Sequence, residues 1–314
     1  MFLWISLRIA RIFDALKSLC ERSLERWIVI LAACGFVLHL VLIFLARNGM
    51  SAIIPELAQL DLNYLHAIYT PFSFVLFYEV LQLVLALPQS HSSSVAKQYQ
   101  IISLIVVRRV FKDIGEFREP LNWLQQQEAA RMVLLDMLAA LAMFLLLTLF
   151  SWLKGRVPRS LGHPNLDEFI LIKKAVALLS CGVLIVLAAY NLLKWAMPMM
   201  GGVANPLSYD LDEYFFPAFF EYMIFTDVFL LIISILYYDR YEYVFRNAGF
   251  VISTVLLRVS LSTPKPGDLV LALIAMVYGL GVLAVFALYR GNRDRLERES
   301  SQSHEDSITT HEAA

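Results

Sequence analysis

The sequence has few charged residues and few cysteines. Of its 314 residues only 17% are charged, and the formal net charge is -1. Without a basic excess the chain lacks the electrostatic attraction to phosphate on which nucleic-acid binding depends, so no nucleic-acid partner is expected. The three cysteines, Cys20, Cys34 and Cys181, are far apart. Their number and spacing predict neither a disulfide framework nor a metal site.

Common catalytic motifs are also missing from the sequence. It contains no His-Glu-x-x-His, no Cys-x-x-Cys and no Gly-x-Ser-x-Gly, which excludes the enzyme classes that depend on them. Gly279 and Gly281 resemble a nucleotide-binding fingerprint only in their letters. They lie inside an apolar run, where small residues allow close approach of helices. No cofactor is predicted, and an enzyme is not expected.

Apolar residues, in contrast, are abundant and fall in long runs. They make up 59% of the chain, and the mean hydropathy is +0.64. A membrane-spanning helix needs about 20 mostly apolar residues. Six segments meet this requirement, namely 27–46, 65–87, 132–153, 171–195, 216–238 and 267–289, and two borderline segments, 95–111 and 244–261, are shorter and flanked by charges. The sequence therefore predicts an all-α integral membrane protein with six membrane segments, or eight when the borderline pair is included.

The two ends of the chain differ from these segments. In residues 1–26, apolar positions such as Ile5 and Ile9 recur at helical spacing, and Arg8 and Arg11 interrupt any uniform apolar core. This pattern predicts an amphipathic helix on the cytoplasmic membrane surface, or alternatively a helix packed on a partner subunit. Residues 292–314 are rich in polar residues without apolar periodicity and predict a disordered cytoplasmic tail.

One stretch of sequence occurs twice. Glu79 lies inside an apolar segment and is followed by the apolar run Ile101–Arg108, which ends in arginine. Asp227 lies inside a second apolar segment and is followed by the similar run Val251–Arg258. The two runs also share a serine, Ser103 in the first and Ser253 in the second. We interpret this as an internal duplication.

The duplication predicts two membrane repeats, 27–156 with a polar insert at 112–131, and 157–291. If all eight segments cross the membrane, the repeats are parallel four-helix units, and Lys154 and Arg290 at their ends lie on the same side. If the two borderline segments do not cross, each half has three crossings and the halves are inverted. Basic residues favour the cytoplasm, so the parallel arrangement is the one we predict.

The acid and the arginine of each repeat are candidates for function. An ionised side chain at the bilayer centre costs about 2.5 to 3.5 kcal/mol on insertion scales. Each acid should therefore lie beside a charged partner or water, or be protonated. Helical geometry allows Glu79 to reach Arg108 and Asp227 to reach Arg258. Ser103 and Ser253 accompany these pairs. All six residues are predicted transport or sensing candidates, and the alternative is that the pairs only hold helices in register.

Two functional hypotheses follow. In the first, the chain is a small channel, transporter or sensor of ions or protons that uses the duplicated pairs. In the second, it is a non-transporting scaffold or partner-binding subunit in which the pairs are structural. Both place a multi-pass protein in the inner or plasma membrane of the cell, with cytoplasmic termini. The expected partners are the lipid bilayer and either further copies of the chain or another membrane protein.

Overall fold

The computed structural model describes residues 2–48, 64–115, 127–157, 166–201, 211–238 and 240–312, and these ranges contain helices and no strand. The α-helices are α1 Phe2–Leu19, α2 Glu25–Arg47, α3 Thr70–Leu85, α4 His91–Gly115, α5 Gln127–Arg156, α6 Leu166–Gly201, α7 Leu211–Tyr237, α8 Tyr241–Leu261 and α9 Gly267–Glu312. A helix satisfies its backbone hydrogen bonds within one segment, as the bilayer interior requires. The predicted all-α class is confirmed for the described ranges.

Six helical stretches are long and apolar enough to cross a membrane: Leu7–Arg47, Ala130–Arg156, Asp167–Tyr190, Pro217–Tyr237, Tyr241–Leu261 and Gly267–Arg293. They confirm a multi-pass membrane protein. The borderline segment 244–261 is among them, whereas the predicted segment 65–87 is divided into a 3-10 turn, Tyr64–Tyr69, and the 16-residue helix α3. The division has a physical reason, because Pro71 is favoured in the first turn of a helix and not in its interior.

The N-terminal helix is not separate from the first membrane segment. A π-helical turn, Cys20–Leu24, joins α1 to α2 without a break. Phe13 of α1 and Cys20 of the π-helical turn are buried in a core shared with α6, and Asp14 of α1 accepts from Lys174 Nζ at 2.8 Å. Helix α1 therefore packs on α6 of its own chain. Its predicted position on the membrane surface stays a prediction.

The helices enclose two hydrophobic cores. The first is formed mainly by α1, α3, α6 and α7, with Val80, Leu184 and Phe219 fully buried. The second is formed by α4, α5, α8 and α9 around Tyr99 and Phe150. Each core thus combines helices from both predicted repeats.

Helix α4 buries several of its polar side chains against other helices, which explains its polar sequence. It packs against α3, α5 and α8, and it buries polar residues such as Ser94, Gln98 and Arg108. Helices on the outside show the opposite pattern, since Leu138 of α5 and Leu236 of α7 are 65% and 79% exposed. The exposed side chains Gln100, Leu104, Val107 and Phe111 form one stripe along α4, and the rest of the helix need not be apolar enough to face lipid. At 25 residues α4 is long enough to cross, but whether eight segments cross stays a prediction.

Contacts between helix ends give the direction of each helix. Near the start of α4, Ser93 accepts from Lys154 at the end of α5, and His91 lies against Tyr238 beside the start of α8. The end of the apolar part of α9 also lies here, because Arg293 donates to Glu242 of α8. We call this the basic end, after its concentration of lysine and arginine: Lys154, Arg156, Lys173, Lys174, Arg240, Arg246, Arg290 and Arg293.

Helix α9 extends into the polar tail beyond residue 292. In the structure α9 continues as far as Glu312, although this part of the sequence has no apolar face. Arginine and glutamate are good helix formers, and the predicted disorder and cytoplasmic position of this tail stay predictions.

The directions of the helices can be tested with cysteine labelling from the two sides of the membrane. Gly155 and Gly291 lie at the basic end, and a Cβ at either position would meet no atom within 4 Å. Ser262 is exposed at the opposite end. In a Cys34→Ala background, we expect Gly155→Cys and Gly291→Cys to react with a membrane-impermeant maleimide from the same side, and Ser262→Cys from the other. Labelling of positions 155 and 291 from opposite sides would indicate inverted halves.

Candidate functional site

Glu79 of α3 and Arg108 of α4 form a buried ion pair. Arg108 Nη2 donates to Glu79 Oε2, and the two side chains are 8% (Arg108) and 10% (Glu79) exposed. Arg108 also donates to the backbone oxygens of Phe72 at 3.2 Å and Leu104 at 3.3 Å. The structure thus joins the first predicted pair, and it gives the arginine acceptors other than the carboxylate.

A cleft of about 200 Å³ reaches Glu79 from the side of the bundle. Three helices line it at spacings of three and four residues, the period of one helix face. The lining residues are Glu25, Ile28 and Val29 of α2, Val75, Tyr78, Glu79 and Gln82 of α3, and Lys97, Gln100, Ile101 and Leu104 of α4. We call this space the Glu79 cleft.

The polar residues of the Glu79 cleft surround the acid. Gln82, Lys97 and Gln100 lie among its walls with Glu25, and Lys97 Nζ donates to Gln100 Oε1 at 3.4 Å. The volume is enough for several water molecules, and polar walls supply the partners that such water needs. The arrangement can bring water, a proton or a small cation to the Glu79 carboxylate. None of these neighbours was predicted, because a polar residue near a segment end is usually assigned to the interface.

The second predicted pair, Asp227 and Arg258, is also joined by the structure. Arg258 Nη1 lies 2.8 Å from Asp227 Oδ2, and the arginine side chain is 0% exposed. Thr254 Oγ1 donates to the same carboxylate at 3.0 Å, and Arg258 Nη2 donates to Gln98 Oε1 at 3.0 Å. This pair therefore ties α7, α8 and α4 together.

A smaller cavity of about 30 Å³ lies beside Asp227. It is lined by Gln98 and Thr254 on one side and by His91 and Lys173 toward the basic end, and it has space for one or two waters. Lys173 is only 4% exposed; its Nζ donates to the backbone oxygen of Gln89 at 3.2 Å and lies 4.6 Å from the centroid of the Phe169 ring. Sequence reasoning missed Lys173, since a Lys-Lys pair beside an apolar run is typical of a cytoplasmic loop.

The two predicted serines have different surroundings. Ser103 Oγ donates to the backbone oxygen of Gln100 in its own helix, at 2.8 Å. Ser253 Oγ instead donates to the backbone oxygen of Ala275 in α9 at 2.6 Å and lies 2.5 Å from the Tyr99 hydroxyl of α4. Ser253 therefore connects three helices, and Ser103 makes its hydrogen bond within one.

A third group of charges joins the ends of α4, α5 and α9, at the far end of the bundle from the basic end. Arg109 forms an ion pair with Asp268. Lys265, in the turn before α9, lies 2.5 Å from Asp113 and 2.9 Å from Asp136. The carboxylate of Asp136 lies in an apolar segment, which indicates that it needs a charged or hydrogen-bonding partner. Nothing in the sequence indicated that Lys265, 129 residues away, would supply it.

Comparisons of the chain with protein-family models, curated proteins and solved structures give no match.

Proposed function

We propose that the chain moves protons or small cations across a membrane, as a channel or transporter, and that Glu79 is the acid that handles them. The observation that carries the proposal is the difference between the two pairs. Glu79 borders a cleft of about 200 Å³ whose walls contain five other polar residues and five apolar ones. Asp227 and Arg258 are enclosed by Thr254 and Gln98, beside space for one or two waters.

The surroundings of Arg108 are compatible with a working cycle. A proton or cation at Glu79 would weaken its attraction to Arg108. The guanidinium would then still have the backbone oxygens of Phe72 and Leu104 as acceptors. Loss of the ionic partner would therefore cost less than it would for an arginine held by the acid alone.

We further propose that the chain arose by duplication and that eight helices, α2 to α9, cross the membrane as two parallel repeats. Support comes from the order of packing, because α2 to α5 contact their neighbours in the same sequence as α6 to α9. The acid and the arginine are also separated similarly, by 29 residues in the first pair and by 31 in the second (258 minus 227). The basic end would face the cytoplasm of the cell, together with both termini.

The alternative, a non-transporting scaffold, draws support from the second pair. Asp227 and Arg258 connect three helices through hydrogen bonds with Thr254 and Gln98. A purely structural ion pair would be expected to have such contacts. If Glu79 and Arg108 act in the same way, the protein needs no moving ion, and its function would lie in an assembly of further copies or other membrane proteins.

Flux measurements in vesicles separate these functions. We expect the purified protein to dissipate a pH or cation gradient in reconstituted liposomes, and we expect Glu79→Gln to reduce the rate at least tenfold for equal amounts of folded protein. Lys97→Gln, which changes the cleft but leaves the ion pair in place, should reduce the rate less. Absence of flux from the folded wild type under both gradients would contradict transport and favour the scaffold.

A further inference from the structure

A second polar pocket lies at the basic end, between the start of α8 and the last membrane-level turns of α9. Its walls contain three arginines, three aromatic residues and one acid: Arg240, Glu242, Tyr243, Phe286, Tyr289, Arg290 and Arg293. The enclosed volume is about 30 Å³. We call it the arginine pocket. It shares no lining residue with the Glu79 cleft, and the inference drawn from it does not depend on transport.

Hydrogen bonds and ion pairs hold the walls of the pocket in place. Arg293 Nη1 donates to Glu242 Oε1 at 3.0 Å, and Arg240 Nη1 lies 4.0 Å from the same oxygen. Arg290 Nη1 donates to the Tyr243 hydroxyl at 3.5 Å. The cationic groups are therefore positioned by the fold before any ligand arrives, which lowers the entropic cost of binding.

Positive charge exceeds negative charge among the lining residues. Three arginines face one carboxylate, that of Glu242, so the lining carries two net positive charges. Arg246 adds another guanidinium nearby, 5.1 Å from the centroid of the Tyr243 ring and 4.7 Å from that of Phe286. Guanidinium groups match phosphate oxygens in a fork-like, bidentate geometry. The pocket thus has the chemistry of a phosphate site.

The position of the pocket indicates where the phosphate comes from. Helix α8 begins at Tyr241 and the apolar part of α9 ends at Arg293, so the pocket lies where the membrane-spanning parts end. Tyr241 and Tyr289 are exposed there, as is typical of the membrane interface, and Leu288 and Val285 continue the exposed surface toward the apolar region. A lipid headgroup at the arginines could extend its acyl chains along this surface.

We propose that the arginine pocket binds the phosphate of an anionic membrane phospholipid. Basic pockets between membrane helices on the cytoplasmic side are suited to anionic headgroups. The exposed apolar side chains of Val285 and Leu288 favour this occupant over a soluble nucleotide, because acyl chains could lie along them.

Native mass spectrometry of the full chain in detergent tests the proposal, with phosphatidylglycerol and phosphatidylcholine as the probes. We expect the wild type to retain phosphatidylglycerol in preference. Removal of one cation near the membrane surface corresponds to about a fivefold loss of affinity, so Arg240→Gln combined with Arg290→Gln should weaken binding about 25-fold, the product of two such losses. The control is Arg156→Gln at the end of α5, which removes the same charge at the basic end but lies outside the pocket and should change binding less than twofold.

Three results would overturn the proposal. The first is equal retention of both lipids by the wild type, and the second is a loss for Arg156→Gln of about fivefold, as large as that expected from removal of one pocket arginine. The third is displacement of the lipid by millimolar inorganic phosphate, which would indicate a site for soluble phosphate. If the glutamine variants do not fold, Arg240→Lys and Arg290→Lys keep the charge and remove the bidentate fork. In that case we expect an intermediate loss with the same lipid preference, and binding equal to that of the wild type would contradict the site.

Discussion

Replacement of Asp227 by asparagine is expected to lower the free energy of unfolding by about 3 to 5 kcal/mol, the cost of leaving a buried charge without its partner. Arg258 would stay charged at a position where its side chain is 0% exposed, with Gln98 as its remaining observed side-chain hydrogen-bond partner. Thr254 would also lose the charge on its acceptor. The effect is measured by thermal unfolding in detergent, monitored as the loss of the monodisperse species on size-exclusion chromatography.

Two further variants make the measurement specific to the ion pair. Glu221→Gln removes a negative charge from an exposed site on the same helix and should leave the midpoint nearly unchanged. Asp227→Leu with Arg258→Met removes both charges together; apolar replacements of similar volume for a buried pair are often neutral or stabilising, so this variant should recover most of the loss. If Asp227→Asn unfolds at the same temperature as Glu221→Gln, Arg258 is not a buried cation that depends on Asp227.

The second large effect is expected from Gly279→Ala. A Cβ at this position of α9 would overlap the Tyr99 hydroxyl of α4 and would lie 2.7 Å from Ser253 Oγ of α8. These two groups share a hydrogen bond of 2.5 Å that is buried. Overpacking in a dense core typically costs about 1 to 3 kcal/mol, and separation of the Tyr99 and Ser253 hydroxyls would add about 1 kcal/mol. Unfolding midpoints in detergent measure the sum.

Gly281 provides the control for this prediction, because a Cβ there would meet no atom within 4 Å. Gly281→Ala should therefore be neutral or slightly stabilising, since alanine is the better helix former. A second test combines Gly279→Ala with Tyr99→Phe, which removes the atom that the new methyl group would overlap. The double variant should be more stable than the sum of the single effects predicts. Equal destabilisation by Gly279→Ala and Gly281→Ala would contradict the close approach of α4, α8 and α9.

Sequence reasoning predicted the ion pairs because carboxylates are rare in apolar segments and each needs a partner. The short connection between α3 and α4 makes the two helices neighbours, and helical rise then brings Glu79 within reach of Arg108. The same argument could not find Gln98 as a partner of Arg258 or Lys265 as a partner of Asp136. These contacts cross between the predicted repeats, and their geometry depends on how the helices pack, which hydrophobic periodicity does not determine.

The polar sequence of α4 illustrates a second limit. Mean hydropathy measures how well a helix is suited to contact lipid. The short apolar core of α4 is flanked by charges, so the sequence predicted only a borderline membrane segment there. In the structure this helix packs against α3, α5 and α8, where Gln98, Ser103 and Arg108 are buried, and it exposes a stripe that includes Leu104 and Val107. Hydropathy also suggested a boundary after residue 26, where the structure instead has a continuous helix with a π-helical turn at Cys20–Leu24. The apolar residues of α1, such as Phe13, pack on α6, an interaction between parts of the chain far apart in sequence.

The most direct test of the central claim compares two matched variants in the same flux measurement. Glu79→Leu with Arg108→Met and Asp227→Leu with Arg258→Met each remove one buried pair in the same way. If Glu79 handles the transported ion and Asp227 holds helices together, the first variant should lose flux at least tenfold and the second should keep most of it per folded molecule. Wild-type flux in the Glu79 and Arg108 variant would contradict the account.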